Sequence, residues 1–174
     1  MDRRRARWHD VAMTSDTIDV AACILGAGPV GATLAATLAA AGLPTAVVDR
    51  QPLPPMELQD FDGRAYAIAL TSKRLLEAAG GWERLPVAPC PILDIRVADG
   101  RPGERASPMS LHFRAEEVGP EPFGFMVEAR NLRVALNARL PRLPNLRVFA
   151  PAEAAEVERR AEGATVRLRS GETI

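Results

Sequence analysis

The most regular pattern of apolar and polar positions lies in residues 18–50. Residues 20–25 form an apolar run with the length of a buried strand, and an alanine-rich segment of helical character follows them. Gly42 and Pro44 end that helix, and residues 45–48 form a second apolar run. The pattern therefore predicts a strand–helix–strand unit that ends at Asp49 and Arg50.

Beyond this unit the pattern changes between loops, helices and short strands. Residues 51–68 are rich in proline and lack a helical period, so we expect a loop there. Two further helices are predicted over residues 71–79, capped by Thr71 or Ser72, and over residues 131–140. Their expected buried faces contain Leu75, Leu76, Ala79, Leu132, Ala135, Leu136 and Leu140. The segments with strand character are residues 92–98, 110–114, 123–128, 145–150, 153–159 and 164–169.

The connection between the first strand and the first helix carries the main candidate chemistry. Gly26, Gly28 and Gly31 have the G-x-G-x-x-G spacing of dinucleotide-binding turns. In such turns the first glycine permits a tight bend, the second lets a pyrophosphate approach the backbone, and the third lets the helix lie close to the strand. Pro29 suits the first helical turn, where free N–H groups and the helix dipole favour a phosphate.

Asp49 supplies the acid that such a site needs. It ends the second strand at about the ~20-residue separation expected for a carboxylate that accepts a hydrogen bond from a ribose 2′-hydroxyl. A carboxylate there repels a 2′-phosphate, so the expected ligand is FAD or NAD rather than NADP.

Composition and charge narrow the range of functions. The chain has 174 residues and a formal net charge of zero, which fits one domain and gives no basic field for nucleic acid. Its two cysteines, Cys23 and Cys90, have no metal-binding spacing and fit a reducing compartment. We find no acid–base pair, nucleophile or metal cluster, and neither His9 nor His112 makes a convincing ligand. No catalytic residue is therefore assigned.

Several longer segments together resemble a known family. They read GAGPVG, VVDRQ, FDGRAYAIALTSKRLLEAAGGWERL, PILDIRVADG and FGFMVEARNLRVAL. This combination resembles the flavoprotein aromatic hydroxylases, and within them the UbiH-like hydroxylases of ubiquinone biosynthesis. The resemblance covers residues 17–174. It implies an α/β chain with an incomplete, Rossmann-like FAD-binding domain of the glutathione-reductase type and part of an antiparallel substrate-domain sheet.

The resemblance also implies roles for individual residues. The implied cofactor-binding residues are Gly26, Gly28, Pro29, Val30, Gly31, Asp49, Arg50, Arg64 and Arg130. Among them Arg50 would border the adenine, and Arg64 would reach the pyrophosphate or ribityl region, where a planar guanidinium suits phosphate oxygens. Arg130 matches a position near the ribityl chain.

The implied activity is that of an FAD-dependent monooxygenase. Such enzymes reduce FAD with NAD(P)H, form a flavin hydroperoxide and transfer one oxygen atom to a phenolic ring, while the protein supplies orientation and a dry site. A polyprenyl-phenol substrate implies a cytoplasmic enzyme with peripheral contact to the inner membrane and association with other ubiquinone-biosynthesis proteins.

The pattern and the resemblance together divide the chain into four parts. They are a disordered extension (1–16), an FAD-binding βαβ region (17–85), partial substrate-domain strands (86–125) and a return to the FAD-binding domain that ends in a β-meander (126–174). Because residues 172–174 only begin a third strand of that meander, we expect an N-terminal fragment of a longer protein. Two alternatives stay open at this point: an NAD-linked oxidoreductase, and a truncated nucleotide-binding chain without activity.

Overall fold

A computed structural model describes residues 17–53, 63–101, 103, 105, 107 and 109–174 of the chain. Its helices are α1 (Pro29–Ala40), α2 (Leu70–Ala78) and α3 (Ala129–Arg139). The strands are β1 (Ala22–Leu25), β2 (Thr45–Val48), β3 (Ala65–Ala69), β4 (Cys90–Ile92), β5 (Asp94–Ala98), β6 (Ser110–Arg114), β7 (Gly124–Glu128), β8 (Leu146–Phe149), β9 (Ala154–Arg160) and β10 (Gly163–Leu168). Short 3₁₀ turns follow α2, β6 and α3.

A parallel sheet of three strands in the order β1-β2-β8 forms the centre of the fold. Successive side chains of a strand point to opposite faces, so β2 contributes to two cores. Val47 faces a core made with the helices, and its neighbours Ala46 and Val48 face the β9–β10 hairpin. The expectation that residues 145–150 join the parallel sheet is confirmed by β8.

The helix layer is tightly packed because α1 presents only small side chains to it. The residues of α1 that are buried are Ala32, Ala35, Ala36 and Ala39. Leu132 and Leu136 of α3 join the same core together with Leu140, which directly follows the helix, as the helical spacing predicts. Trp82 and Leu85 pack against this core. An alanine face lets a helix backbone lie close to the sheet, so the start of α1 is held firmly against the end of β1.

The remaining strands are antiparallel, as predicted. β3, β7 and β4 form a three-stranded sheet in the order β3-β7-β4. β5 and β6 pair separately as a two-stranded ribbon. The predicted third strand of the meander consists of single bridges from Thr173 to Arg167 and to Thr17.

Four details of the sequence-based prediction are wrong. Part of the predicted loop 51–68 is strand β3, because the residues AYAIA at its end alternate between exposed and half-buried positions as a strand does. Helix α2 begins directly after β3, so its N-cap is Ala69 and not Thr71 or Ser72, and no side chain caps it. The predicted strand 92–98 is two strands, β4 and β5, because each pairs with a different partner. Leu75 is exposed, and only Leu76 and Ala79 of that face are buried.

Two other expectations concern residues outside the described part of the chain. Residues 1–16, expected to be an extension, and residues 54–62 of the expected loop lie outside the described residues. No helix in the described part of the chain is long and apolar enough to cross a bilayer.

The pairing of β3 with β7 depends on Gly124. A Cβ atom added there would lie 2.3 Å from the carbonyl oxygen of Ile68 and 3.0 Å from the Cα atom of Ala69. Because both atoms belong to the backbone, we expect Gly124→Ala to lower the free energy of unfolding by about 1–3 kcal/mol. Gly119→Ala is the matched control, since nothing lies within 4 Å of its added Cβ. Denaturant unfolding of both variants checks this, and equal stability would contradict the tight approach.

Candidate nucleotide-binding site

The glycine turn joins the end of β1 to the start of α1. Gly26 has a φ of 101°, a conformation that favours glycine, and its N–H donates to the carbonyl oxygen of Val48 at 2.7 Å. A Cβ atom on Gly31 would lie 1.9 Å from the carbonyl oxygen of Gly26. The turn therefore folds back against the first turn of the helix, and only glycine fits at position 31.

The start of α1 has the features of an anion site. Gly28 is the N-cap residue, Pro29 occupies the first turn as predicted, and no side chain caps the helix. The first backbone bond of the helix runs from the Ala32 N–H to the carbonyl oxygen of Gly28 at 2.8 Å. The N–H groups of Val30 and Gly31 thus have no acceptor within the helix. Because nothing lies within 4 Å of a Cβ placed on Gly28, a ligand has room to approach this backbone.

Asp49 links the end of β2 to this turn. Its Oδ2 atom accepts a hydrogen bond from the Ala27 N–H at 2.6 Å, and its Oδ1 atom accepts one from the Gln51 N–H at 2.8 Å. An ionised carboxylate has about four acceptor sites, so roughly two stay available for hydroxyl groups of a ligand. The side chain is therefore already oriented by the protein before any ligand binds.

A cleft of about 420 Å³ adjoins Asp49 at the carboxyl ends of the parallel strands. It is lined by Leu25, Gly26, Val48, Asp49, Arg50, Ala152, Glu153 and Ala154. This is the edge at which open α/β sheets bind ligands. The last three residues were missed by sequence reasoning, although the prediction that β8 joins the parallel sheet implies that its following loop emerges beside Asp49. The loop is held there by the Ala152 N–H, which donates to the carbonyl oxygen of Asp49 at 2.8 Å.

Of the three candidate arginines, Arg50 lines this cleft, whereas Arg64 and Arg130 lie outside it and close to each other along the backbone. The register of β3 and β7 pairs Ala65 with Glu128, and the Ala129 N–H donates to the carbonyl oxygen of Arg64 at 3.0 Å. Arg130 is half-buried, and its Nε donates to the Oε2 atom of Glu128 at 2.6 Å. Pairing of β3 with β7 thus brings together Arg64 and Arg130, which are distant in sequence.

Other reactive side chains lie apart from this site. His112 contacts the Oδ1 atom of Asp94 at 2.5 Å on the β5–β6 ribbon. Burial raises the pKa of the Cys23 thiol, which keeps it in the less reactive protonated form. Among the residues that the structure describes, no three His, Cys, Asp or Glu side chains are grouped to hold a metal ion.

Comparison with known proteins identifies the family to which the chain belongs. The profile of the FAD-binding domain family matches residues 19–173. The chain belongs to this family. Membership resolves the choice between FAD and NAD that the glycine motif leaves open, and it confirms the resemblance to flavoproteins.

The chain is similar to two proteins named as ubiquinone hydroxylases. The chain is 42% identical over 152 residues to UbiL of Rhodospirillum rubrum, covering 87% of this chain and 34% of that protein. It is 30% identical over 156 residues to UbiM of Neisseria meningitidis, covering 87% of this chain and 33% of that protein. The chain therefore spans about a third of the length of these relatives.

Solved structures share the fold. PqsL of Pseudomonas aeruginosa, a probable FAD-dependent monooxygenase, matches with a TM-score of 0.62 and 19% identity over 91% of this chain and 40% of that protein. The p-nitrophenol 4-monooxygenase PnpA of Pseudomonas putida matches with a TM-score of 0.64 and 16% identity over 91% of this chain and 38% of that protein. These matches establish a mixed α/β fold similar to that of flavoprotein monooxygenases.

Proposed function

We propose that the chain is the N-terminal, nucleotide-binding part of an FAD-dependent monooxygenase that hydroxylates a phenolic ring. The identity of 42% to a ubiquinone hydroxylase supports this reading, and it favours a polyprenyl-phenol of ubiquinone biosynthesis as the substrate. The observation that carries the proposal is the Asp49 carboxylate, which is bonded to the Ala27 N–H at 2.6 Å beside a cleft of about 420 Å³.

The residues around the glycine turn fit the adenosine diphosphate half of FAD. In the proposal, the N–H groups of Val30 and Gly31 bind the pyrophosphate, with Gly26 and Pro29 shaping the turn. The open space at Gly28 supports the close approach that a pyrophosphate needs.

The cleft would hold the adenosine. Asp49 accepts hydrogen bonds from the ribose hydroxyls, and Arg50 borders the adenine beside Ala152 and Glu153. A half-buried carboxylate at the end of the second strand is the acceptor that ribose hydroxyl groups need.

Arg64 and Arg130 would serve the other half of the cofactor. Their common position at one end of the β3–β7 pair supports a shared role near the pyrophosphate and the ribityl chain. Glu128 holds the Arg130 guanidinium in place through the bond at 2.6 Å. When bound, FAD supplies the oxygen activation and redox chemistry, and this chain binds and orients it.

The remaining expectations belong to this proposal as well. The helices on one face of the parallel sheet and the hairpin on the other support the glutathione-reductase type of FAD domain. The division at residues 17–85, 86–125 and 126–174 is proposed, with the antiparallel strands covering the substrate. NAD(P)H is the proposed electron donor. A cytoplasmic location, peripheral contact with the inner membrane and association with other ubiquinone-biosynthesis proteins are proposed as well, because a polyprenyl-phenol substrate lies in a membrane.

Flavin retention by the purified chain tests the proposal directly. We expect the chain to keep flavin absorbance after incubation with excess FAD and desalting, because the oriented carboxylate and the glycine turn are already formed. The same incubation with NAD is the control and should leave no bound nucleotide after desalting. A chain with native circular dichroism that retains NAD but no flavin would contradict the proposal.

A further inference from the structure

The β5–β6 ribbon carries charged side chains on one of its two faces. Because successive residues of a strand point to opposite faces, Asp94 and Arg96 of β5 share a face with His112 and Arg114 of β6. In the register of the ribbon, Arg96 lies opposite His112, and Asp94 lies opposite Arg114. These four side chains therefore form one group, and they lie apart from the nucleotide-binding cleft.

The other face of the ribbon is apolar. It pairs Ile95 with Phe113 and Val97 with Leu111, and all four side chains are exposed. Removal of apolar surface from water drives packing, so any further packing on the ribbon uses this face. The charged face is then the one that stays open to a dissolved ligand.

A hollow of about 350 Å³ lies on the charged face. At one end of the ribbon, the Ala115 N–H donates to the carbonyl oxygen of Leu93 at 2.8 Å, and both residues line the hollow. The charged and titratable residues that line it are Asp94, Arg96, His112, Arg114 and Glu116.

The two carboxylates of the hollow form no hydrogen bond with its arginines. The Oδ1 atom of Asp94 lies 2.5 Å from the Nε2 atom of His112, so this acid is paired with the imidazole. The Oε1 atom of Glu116 lies 3.7 Å from the Nη1 atom of Arg114, which is beyond hydrogen-bonding distance. The side chain of Glu116 is also 78% exposed, so solvent screens its charge.

The cationic groups of the hollow keep donors available. In the described part of the chain, neither Arg96 nor Arg114 donates a side-chain hydrogen bond, and Arg96 forms no ion pair. The bond to Asp94 uses only Nε2 of His112, and a protonated imidazole donates from both of its nitrogens. Two guanidinium groups and one imidazole thus offer donors from both strands of the ribbon.

We propose that this hollow is an anion site that binds a phosphate group. A guanidinium donates to two oxygen atoms of one phosphate, and such charge-assisted bonds are stronger than bonds between neutral groups. A carboxylate has two oxygen atoms in one plane and is satisfied by one guanidinium, whereas a tetrahedral phosphate accepts from Arg96, Arg114 and His112 together. The inference does not depend on the proposed function, because none of these three residues lines the cleft at Asp49.

Such a phosphate group has two possible sources. One is free phosphate, and the other is the 2′-phosphate that NADPH carries and NADH lacks. The Asp49 carboxylate repels a 2′-phosphate at the glycine turn, so a phosphorylated dinucleotide needs cations at another place on the protein.

The NMR signals of the histidine rings test this proposal in the purified chain. The chain has two histidines, so the signals of His112 report on the hollow and those of His9 are an internal reference. At neutral pH and constant ionic strength, we expect inorganic phosphate to shift the His112 signals saturably and to leave those of His9 unchanged. Arg96→Gln should raise the half-saturating phosphate concentration about tenfold, because bonds to a charged group are lost. Arg147→Gln is the matched control, since Arg147 is exposed and lies outside the hollow, and it should leave this concentration unchanged.

Three results would each overturn the proposal. They are a His112 shift that does not saturate, the same shift with sodium chloride in place of phosphate, and equal phosphate binding by Arg96→Gln and Arg147→Gln. Circular dichroism checks that each variant is folded. Arg114→Gln should show the same loss as Arg96→Gln, so the test survives if one of the two does not fold.

Titration with NADPH and with NADH identifies the source of the phosphate. If NADPH saturates the His112 shift at a lower concentration than inorganic phosphate and NADH does not shift it, the hollow binds the 2′-phosphate of the dinucleotide. If inorganic phosphate saturates the shift and NADPH does not, the hollow binds free phosphate. Flavin retention should be the same in Arg96→Gln and in the unchanged chain. Phosphate binding at His112 by a chain that retains no flavin would contradict the proposed function alone.

Discussion

Gly31→Ala is expected to disrupt the first strand–helix unit and to abolish flavin retention. Its Cβ atom would lie 1.9 Å from the carbonyl oxygen of Gly26 and 3.1 Å from the carbonyl carbon of the same residue. Both are backbone atoms, so α1 must move away from β1. We expect the free energy of unfolding to fall by about 3 kcal/mol or more, which lowers the melting temperature by roughly 6–12 °C in a chain of this size.

Gly28→Ala is the matched control for this variant. Its added Cβ meets nothing within 4 Å, and the backbone φ of −64° is open to any residue. Stability should therefore fall by less than about 1 kcal/mol, the cost of a poorer N-cap. Flavin binding should still weaken, because the Cβ occupies the approach of the pyrophosphate. Thermal unfolding with and without FAD separates the two effects. Equal melting temperatures for the two variants would contradict the steric role of Gly31.

Asp49→Ala is expected to weaken FAD binding by about 1–3 kcal/mol, or roughly fivefold to 150-fold, because partners of a charged hydrogen bond lose their acceptor. The same substitution also removes hydrogen bonds within the protein. The Ala27 and Gln51 N–H groups also lose their acceptor, since each donates to this carboxylate. Stability of the ligand-free chain should therefore fall together with affinity, and titration calorimetry with denaturant unfolding measures both.

Asp49→Asn distinguishes the two roles of this side chain. The amide keeps one oxygen that accepts a backbone N–H, but it loses the negative charge and one acceptor. Since Ala27 and Gln51 donate to different oxygen atoms, only one of the two N–H groups recovers an acceptor. We expect part of the stability to return while FAD binding stays weakened. Unchanged FAD affinity in Asp49→Ala would contradict the ribose role, whereas unchanged stability would contradict the role in holding the glycine turn.

The local sequence determined the first strand–helix–strand unit and its candidate chemistry. Strand length, the glycine spacing, Pro29 and the terminal acid are all encoded within one short segment, and the structure has β2 at residues 45–48 as predicted. The helical spacing of Leu132, Leu136 and Leu140 likewise identified a buried face. Such patterns are readable because a strand or helix fixes which near neighbours share a face.

The local sequence pattern predicted wrong element boundaries where two elements follow each other without a turn between them. Strand β3 runs directly into α2, so the expected caps, Thr71 and Ser72, lie inside the helix, with Ala69 as the N-cap. Likewise, β4 and β5 look like one strand in sequence but pair with different partners. A boundary of this kind is set by pairing with distant strands and leaves no turn residue to mark it.

The candidate site, too, could be predicted from the sequence only in part. Gly26, Gly28, Gly31 and Asp49 could be identified as candidates from the sequence alone, because their spacing within one segment is typical of a dinucleotide-binding turn. The three-dimensional fold was needed to show that the Ala27 N–H donates to Asp49, that Ala152 lines the cleft, and that the backbone of Arg64 lies close to that of Arg130. The fold also shows that Val30 and Leu34 of α1 are exposed. These features depend on sheet register and on packing between segments far apart in the chain, which periodicity over a few residues does not encode.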